Sequence, residues 1–157
     1  MVTIEERHVF ARPLQETFGY ITDTRNWPEY WPSLRGFRGA DGALTQVAPR
    51  WNRPGDALTL VLHILNRDVA VTLTIREFEP DRHVKYVTSQ PGLAEAFHER
   101  YFSAVPGGTE FHARVSYPPR RGWKGFVDRV LVKRAVRRTL TRAIANVETV
   151  FARAPAK

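Results

Sequence analysis

Apolar and polar residues alternate most regularly between residues 56 and 78, in the segment DALTLVLHILNRDVAVTLTIREF. Such alternation is typical of β-strands with one buried face. Both halves of the segment carry aliphatic residues at every second position, namely Leu58, Leu60, Leu62, Ile64, Val69, Val71, Leu73 and Ile75. A two-residue turn at Asn66 and Arg67 would place Leu62 opposite Val71. The pattern therefore predicts a hairpin with a wholly aliphatic inner face and a polar outer face.

A second hairpin is predicted from the segment EAFHERYFSAVPGGTEFHARVSY, residues 95 to 117, with the glycine pair 107–108 as its turn. Pairing across that turn places Arg100 opposite Val115 and His98 opposite Tyr117. The alternate face of the hairpin is more polar, so it is assigned to solvent. His98, Arg100 and Tyr117 are then expected to enter an otherwise apolar interior from one end of the hairpin.

The remaining pattern predicts further strands and three helices around these hairpins. The further strands are the segment RHVKYVTS and one or two short strands around Leu34–Arg38 and Ala43–Val47. Residues 2 to 10 are predicted as a strand, Pro13 suits a first helical position, and Asp23 can cap a second short helix. From about Trp123 to Ala152 the chain lacks proline and has Gly125 as its single glycine, which predicts a long helix. The apolar stripe of this helix is Val132, Val136, Leu140, Ala143, Val147 and Val150. This order of elements is an α+β pattern.

The length and composition suit one domain, which we assign to residues 1–157. The chain contains no cysteine, so a disulfide framework and a thiolate metal site are excluded. The first ten residues, MVTIEERHVF, lack the basic and apolar regions of a signal peptide. No apolar run approaches the roughly 20 residues of a membrane span. A soluble, cytoplasmic protein is therefore expected.

Most of the net charge of +8 comes from one basic segment, RRGWKGFVDRVLVKRAVRR. Its cations are Arg120, Arg121, Lys124, Arg129, Lys133, Arg134, Arg137 and Arg138. Trp123, Val127, Val130 and Leu131 lie on a helical face rotated away from the main stripe, so the helix either kinks or carries a second apolar patch. The segment is either a solvated helix face or a docking surface for an anionic membrane or an acidic protein. Nucleic acid is disfavoured, because no groove-reading motif accompanies the charge.

The order of elements, together with the segment YITDTRNWPEYWPSL, resembles the helix-grip superfamily of START and birch-pollen-allergen-like domains. More narrowly, the chain is similar to the polyketide cyclase/dehydrase and lipid-transport branch, often called SRPBCC. The resemblance is carried by Asp23, Asn26, Trp27, Pro28, Trp31 and Pro32, followed by the PGGTEF hairpin and the amphipathic final helix. It implies a curved antiparallel sheet of about six or seven strands around the long C-terminal helix, with two short helices after the first strand.

The resemblance also implies a cavity between the sheet and the long helix, used for hydrophobic small molecules such as lipids or polyketides. Trp27 and Trp31 would wall one end of this cavity, although ordinary core packing explains these aromatics equally well. The residues expected to contact a ligand are Trp27, Trp31, Leu60, Leu62, Val71, Leu73, Tyr86, His98, Arg100, Phe111 and Tyr117.

The candidate catalytic residues are His98, Arg100 and Tyr117, and no motif fixes their roles. Arg100 could hold a carboxylate, phosphate or enolate oxygen, while His98 could transfer protons and Tyr117 could donate a hydrogen bond. Alternatively, Arg100 pairs with an acid at the rim of the cavity. The remaining histidines lack the spacing of a metal site, so no metal and no other cofactor is expected.

Three classes of function remain open. The leading hypothesis is the binding of a hydrophobic, lipid-like or polyketide-like small molecule in the cavity. The first alternative is a polyketide cyclase, aromatase or dehydrase that uses acid/base residues in the same cavity. The second alternative is an interaction module that uses the basic helix to meet a membrane surface or a protein partner.

Overall fold

The computed structural model describes residues 1–153, in which one curved antiparallel sheet of eight strands packs against a long C-terminal helix. The strands are β1 (Val2–Phe10), β2 (Leu34–Arg38), β3 (Leu44–Thr45), β4 (Ala57–Ile64), β5 (Arg67–Glu79), β6 (His83–Ser89), β7 (Ala96–Val105) and β8 (Gly108–Tyr117). Their order in the sheet is β1-β8-β7-β6-β5-β4-β2-β3. The predicted α+β helix-grip fold is confirmed. The sheet has one or two strands more than the six or seven expected, and β2 and β3 lie in the region where one or two short strands are predicted.

The β4–β5 hairpin buries most of its predicted aliphatic face, but its register differs from the prediction by two residues. The turn is Leu65–Asn66, with φ angles of 51° and 61°, instead of Asn66–Arg67. Leu60 therefore lies opposite Val71. A shift of two residues leaves every side chain on its predicted face, since faces alternate along a strand with a period of two.

The predicted register of the β7–β8 hairpin is also wrong by two residues, because one glycine of the pair 107–108 belongs to a strand. Its turn is Pro106–Gly107, and Gly108 is the first residue of β8. Gly108 has a φ of 145°, and a Cβ atom there would overlap the carbonyl oxygen of Phe10 in the neighbouring strand β1. Glycine is thus required for close contact between strands. As a result, His98 lies opposite Val115 instead of Tyr117.

Two short helices follow β1, as predicted, and connect it to β2. They are α1 (Leu14–Thr22) and α2 (Trp27–Tyr30), separated by the 3₁₀ turn Thr24–Asn26. Asp23 caps the 3₁₀ turn, since its carboxylate accepts a hydrogen bond from the backbone N–H of Arg25 at 3.0 Å. The capped turn redirects the chain so that α2 packs against the C-terminal helix.

The predicted long C-terminal helix is confirmed, and a π-helical turn interrupts it near its start. It consists of α3 (Trp123–Val127), the π-helical turn Asp128–Val132, and α4 (Lys133–Arg153). A π-helical turn winds more residues into one turn, so it rotates the helix faces on its two sides relative to each other. The apolar residues of α3 fall outside the stripe of α4, as their spacing along the helix predicts.

Polar contacts fasten α4 to the rest of the fold. The side-chain amide of Asn146 donates to the carbonyl of Tyr30 in α2 at 2.9 Å. On β1, His8 Nε2 lies 2.7 Å from Glu148 Oε1. These contacts hold the helix across the sheet at a fixed position. In the part of the chain that the structure describes, no helix is both long enough and apolar enough to cross a membrane.

Candidate ligand-binding cavity

A cavity of about 400 Å³ lies between the inner face of the sheet, α4 and the α1–α2 segment. This volume falls within the range of about 300–1,000 Å³ that is usual for small-molecule sites. The lining residues are Phe10, Ile21, Thr22, Trp27, Tyr30, Trp31, Pro32, Trp51, Leu62, Ile64, Val84, Tyr86, His98, Arg100, Phe102, Phe111, Val115, Ala135, Val136, Thr139, Leu140, Ala143, Ile144 and Val147. Most of them are apolar, so the walls favour an apolar ligand in proportion to the area that it buries.

Tryptophan side chains form one wall of the cavity, and two of them donate hydrogen bonds to the backbone. The ring of Trp27 lies 5.0 Å from that of Trp31 and 5.1 Å from that of Trp51, measured between centroids. The indole of Trp27 donates to the carbonyl of Ile21 at 3.0 Å. The indole of Trp51 donates to the carbonyl of Leu73 at 3.2 Å. This wall therefore presents ring faces to the cavity and leaves neither indole N–H in need of a partner.

The polar groups of the cavity lie on β6 and β7. Tyr86 and His98 face each other across the two strands and stack with centroids 4.6 Å apart and an interplanar angle of 10°. Arg100 follows two residues further along β7, where its Nη2 donates to the hydroxyl of Tyr86 at 3.1 Å. Its guanidinium carbon lies 5.7 Å from the centroid of the Tyr86 ring, which is a cation–π contact.

Arg100 has no counterion within the described residues. Its Nη1 atom is buried and has no hydrogen-bond partner, and no carboxylate of residues 1–153 forms an ion pair with it. An arginine cannot lose its charge in a protein. The cavity therefore contains a permanent positive charge whose unpaired donor needs an acceptor from outside the fold.

His98 is held neutral near pH 7 by this environment. Burial, and secondarily the positive charge of Arg100, lowers the pKa of His98 well below 6.5. Its Nε2 lies 3.1 Å from the hydroxyl of Thr88, while its Nδ1 is buried without a partner. Nearby, burial and then Tyr86 raise the pKa of Tyr30, so Tyr30 stays protonated. Among residues 1–153, no three His, Asp or Glu side chains are grouped so that they could hold a metal ion.

The structure places most of the predicted ligand contacts on the cavity wall. These are Trp27, Trp31, Leu62, Tyr86, His98, Arg100 and Phe111. Leu60, Val71 and Leu73 belong instead to the buried core and do not line the cavity. These three side chains lie on the predicted inner face of the β4–β5 hairpin and fill the core beside the cavity.

Tyr117 is not brought together with His98 and Arg100. Its hydroxyl donates to the backbone carbonyl of Asp128 in the π-helical turn at 2.8 Å. Burial and then the charge of Asp128 raise the pKa of Tyr117. The cause is the register of β8, in which Val115 occupies the position opposite His98. Two of the three candidate catalytic residues, His98 and Arg100, therefore share the cavity.

Several lining residues were missed by sequence reasoning. Trp51 lies in a segment without periodicity, where a lone tryptophan among polar residues was itself the available signal of burial. Phe10 ends the predicted first strand, but its face could not be assigned before the pairing of β1 with β8 was known. Ala135 and Thr139 of α4 are exposed and still line the cavity, so they mark its mouth together with the exposed Ile64.

A curved sheet closed by a long helix over an apolar cavity defines a helix-grip protein. The sequence comparison narrows this class. Over residues 1–152 the chain matches the family described as "Polyketide cyclase / dehydrase and lipid transport", and it belongs to that family. No significant match to a curated protein sequence is found.

Solved structures share the fold at low sequence identity. A protein from Rhodobacter sphaeroides is 18% identical with a TM-score of 0.73, over 98% of this chain and 95% of that one. A START superfamily protein from Mycobacterium smegmatis is 13% identical with a TM-score of 0.67, over 96% and 97% of the two chains. Ara h 8.0201 is 14% identical with a TM-score of 0.66, over 94% and 95%. At such identities the comparisons establish a START-like helix-grip fold and nothing finer.

Proposed function

We propose that this protein binds an apolar small molecule that carries one anionic or electron-rich oxygen group. The observation that carries the proposal is the buried Nη1 atom of Arg100, which has no partner within the described residues. A carboxylate, phosphate or enolate oxygen would supply the missing acceptor through a charge-assisted hydrogen bond. The apolar walls would then hold the body of the ligand, while Arg100 fixes its orientation.

The surroundings of Arg100 support recognition of an anion over a neutral group. His98 stays neutral beside it, and Tyr30, whose hydroxyl donates to the carbonyl of Ile21, stays protonated, so neither neighbour adds a charge that competes with a bound anion. The family description includes lipid transport, which fits a cavity with apolar walls. Leu62 and Phe111 lie on the wall and would contact the apolar body of the ligand.

Paired probes test this proposal. Isothermal titration with dodecanoate and its methyl ester measures the preference of the protein for the anionic form. Wild type should bind dodecanoate about 10–100-fold more tightly, because bonds to charged groups contribute about 1.5–3 kcal/mol. Arg100→Met should remove this preference. The matched variant Leu62→Ala should weaken both probes alike, since it trims the wall without touching the charge. An unchanged preference in Arg100→Met would show that Arg100 is outside the site.

A second candidate function is polyketide cyclisation or dehydration in the same cavity. It is favoured by the unpartnered Nδ1 of His98 beside a guanidinium that could stabilise an enolate. Against it stands the low pKa of His98, because an efficient general base has a pKa near the working pH. Turnover of a short poly-β-ketone thioester that is lost in both His98→Gln and Arg100→Met would establish the enzyme. Tight binding of the thioester without turnover would favour the ligand-binding function over the enzyme.

A third candidate is a docking role for the basic segment, on a membrane surface or an acidic protein. It is favoured by apolar side chains of this segment that remain exposed beside the cations. This role does not compete with the cavity, since the exposed side chains are not part of its wall.

A further inference from the structure

Four large apolar side chains remain exposed on the segment that leads into α4. They are Trp123, Phe126, Val130 and Leu131, and we call them the exposed helix face. Trp123 is 75% exposed and Phe126 is 69% exposed, although water disfavours such a cluster. This face lies away from the apolar stripe of α4, as its spacing along the helix predicts. The fold therefore leaves this face without a partner of its own.

Cations without counterions accompany the exposed helix face. Two basic residues of the segment are paired, Arg120 with Asp128 at 2.7 Å and Arg137 with Glu6 at 3.2 Å. The others form no ion pair with any residue that the structure describes, and they are Arg121, Lys124, Arg129, Lys133, Arg134 and Arg138. Their charge complements a surface that is both anionic and able to take up apolar side chains.

The mouth of the cavity lies next to this face. Ala135 and Thr139 in the first turns of α4 line the mouth, and so does Ile64 at the end of β4. The next residue, Leu65, is 88% exposed and has a φ of 51°. Leucine in the left-handed region is conformationally unfavourable, and asparagine or glycine would suit this turn better. Leu65 at the hairpin tip is thus unfavourable in two respects: its apolar side chain is exposed to water, and its backbone is in the left-handed region.

We propose that the exposed helix face and Leu65 dock on an anionic lipid bilayer, with the mouth of the cavity turned toward the membrane. Tryptophan, phenylalanine and leucine enter the interfacial region of a bilayer, while arginine and lysine pair with its anionic headgroups. Nucleic acid supplies phosphates but no apolar phase for Val130, Leu131 and Leu65. A second copy of the chain would bring two cationic surfaces together. Docking does not require that the cavity hold a ligand.

Vesicle sedimentation of the full-length protein tests the proposal. The protein should bind phosphatidylcholine vesicles that contain phosphatidylglycerol and ignore vesicles of phosphatidylcholine alone, and high salt should weaken the binding. The triple variant Arg121→Gln, Lys124→Gln, Arg129→Gln should bind about a hundred-fold more weakly, at about five-fold per cation. The absence of binding to anionic vesicles at low salt would overturn the proposal.

A charge-matched control locates the effect. Arg53, Arg76 and Arg153 are exposed cations, and Arg153 lies at the far end of α4, about 30 Å from its first residue. Their triple replacement by Gln removes the same net charge and should retain most of the affinity. Equal losses in the two triple variants would mean that only overall charge matters, and the assigned surface would be wrong.

The apolar side chains separate a bilayer from a simple polyanion. Trp123→Ala with Phe126→Ala should lower vesicle affinity about ten-fold or more. In wild type, the emission of Trp123 should shift to shorter wavelength on binding, since it is the most exposed of the tryptophans. If duplex DNA binds as tightly as anionic vesicles, and the double alanine variant binds both unchanged, the surface recognises polyanions and the proposal is wrong.

Leu65 provides a variant in which stability and docking should change in opposite directions. Leu65→Asn should raise Tm by a few degrees, because asparagine suits the turn, while vesicle affinity falls about five-fold. A lower Tm with unchanged vesicle binding would assign Leu65 to folding alone. Arg100→Met should dock as wild type does, so a failure of ligand binding and a failure of docking can be told apart.

Discussion

Two arginines that lie over aromatic rings have opposite surroundings in this chain. Arg12, only 6% exposed, forms an ion pair with Glu16, donates to the carbonyl of Phe151, and lies over the ring of Phe151 with 5.1 Å between the guanidinium carbon and the centroid. Arg100 lies over the ring of Tyr86 in a similar way, yet it meets no carboxylate among the described residues and leaves Nη1 unpartnered. Both guanidiniums therefore use a ring face, but only Arg12 has a counterion.

The difference shows what each charge contributes. Arg12 ties α1 to the end of α4, so its desolvation is offset by contacts within the fold. The cost of burying Arg100 is not offset in the same way, and it persists in the free protein. The guanidinium of Arg100 lines the cavity and lacks a counterion within the described residues, so an anionic ligand could pair with it there. Stability should thus depend on Arg12, and ligand preference on Arg100.

The largest expected effect is that of Arg12→Met. This variant leaves the Glu16 carboxylate and the Phe151 carbonyl without their donor, and it should lower the free energy of unfolding by about 2–3 kcal/mol. Urea unfolding at neutral pH measures the loss. The control Arg53→Met removes an exposed cation and should change little. If Arg12→Met and Arg53→Met are equally stable, Arg12 does not stabilise the fold as proposed.

The next effect concerns His98, which shares the cavity with Arg100. An unfolded histidine takes up a proton as the pH falls through about 6.5, whereas folded His98 stays neutral to a much lower pH. The unfolded state binds more protons in that window, so lowering the pH destabilises the protein, by up to about 1.4 kcal/mol per pH unit. Above pH 6.5 this contribution no longer changes.

Urea unfolding above and below pH 6.5 measures this pH dependence. His98→Gln should remove the part of the pH dependence of the free energy of unfolding that His98 causes. Arg100→Met should narrow the pH range over which stability falls, since the guanidinium helps to lower the pKa of His98. A wild-type slope that survives unchanged in His98→Gln would show that His98 titrates alike in the folded and unfolded chains.

The smallest stability effect is expected from Arg100→Met. Arg100 is a partly buried cation without a counterion among the described residues, and its replacement by an apolar chain of similar size should leave the free energy of unfolding unchanged or raise it by about 1 kcal/mol. Differential scanning calorimetry of the ligand-free protein provides the measurement. A loss as large as that of Arg12→Met would mean that the fold itself depends on Arg100.

Local patterns predicted the elements, whereas the site depended on details that only the fold determines. The alternation of apolar and polar residues was sufficient to predict which side chains of β4, β5, β7 and β8 face inward. The registers were wrong by two residues, but such a shift leaves every side chain on the same face. The same shift decided that Val115, and not Tyr117, meets His98. The role of Gly108 could not be read locally, since it depends on how closely β1 approaches. The missing counterion of Arg100 is likewise a property of the assembled sheet.

A crystal structure of the protein with bound dodecanoate tests the central claim most directly. The account predicts a carboxylate oxygen about 2.7–2.9 Å from Arg100 Nη1, with the alkyl chain extending along Phe111 and Leu140 toward the mouth. A ligand whose carboxylate stays at the mouth beside Thr139, with Nη1 of Arg100 still unpartnered, would contradict it.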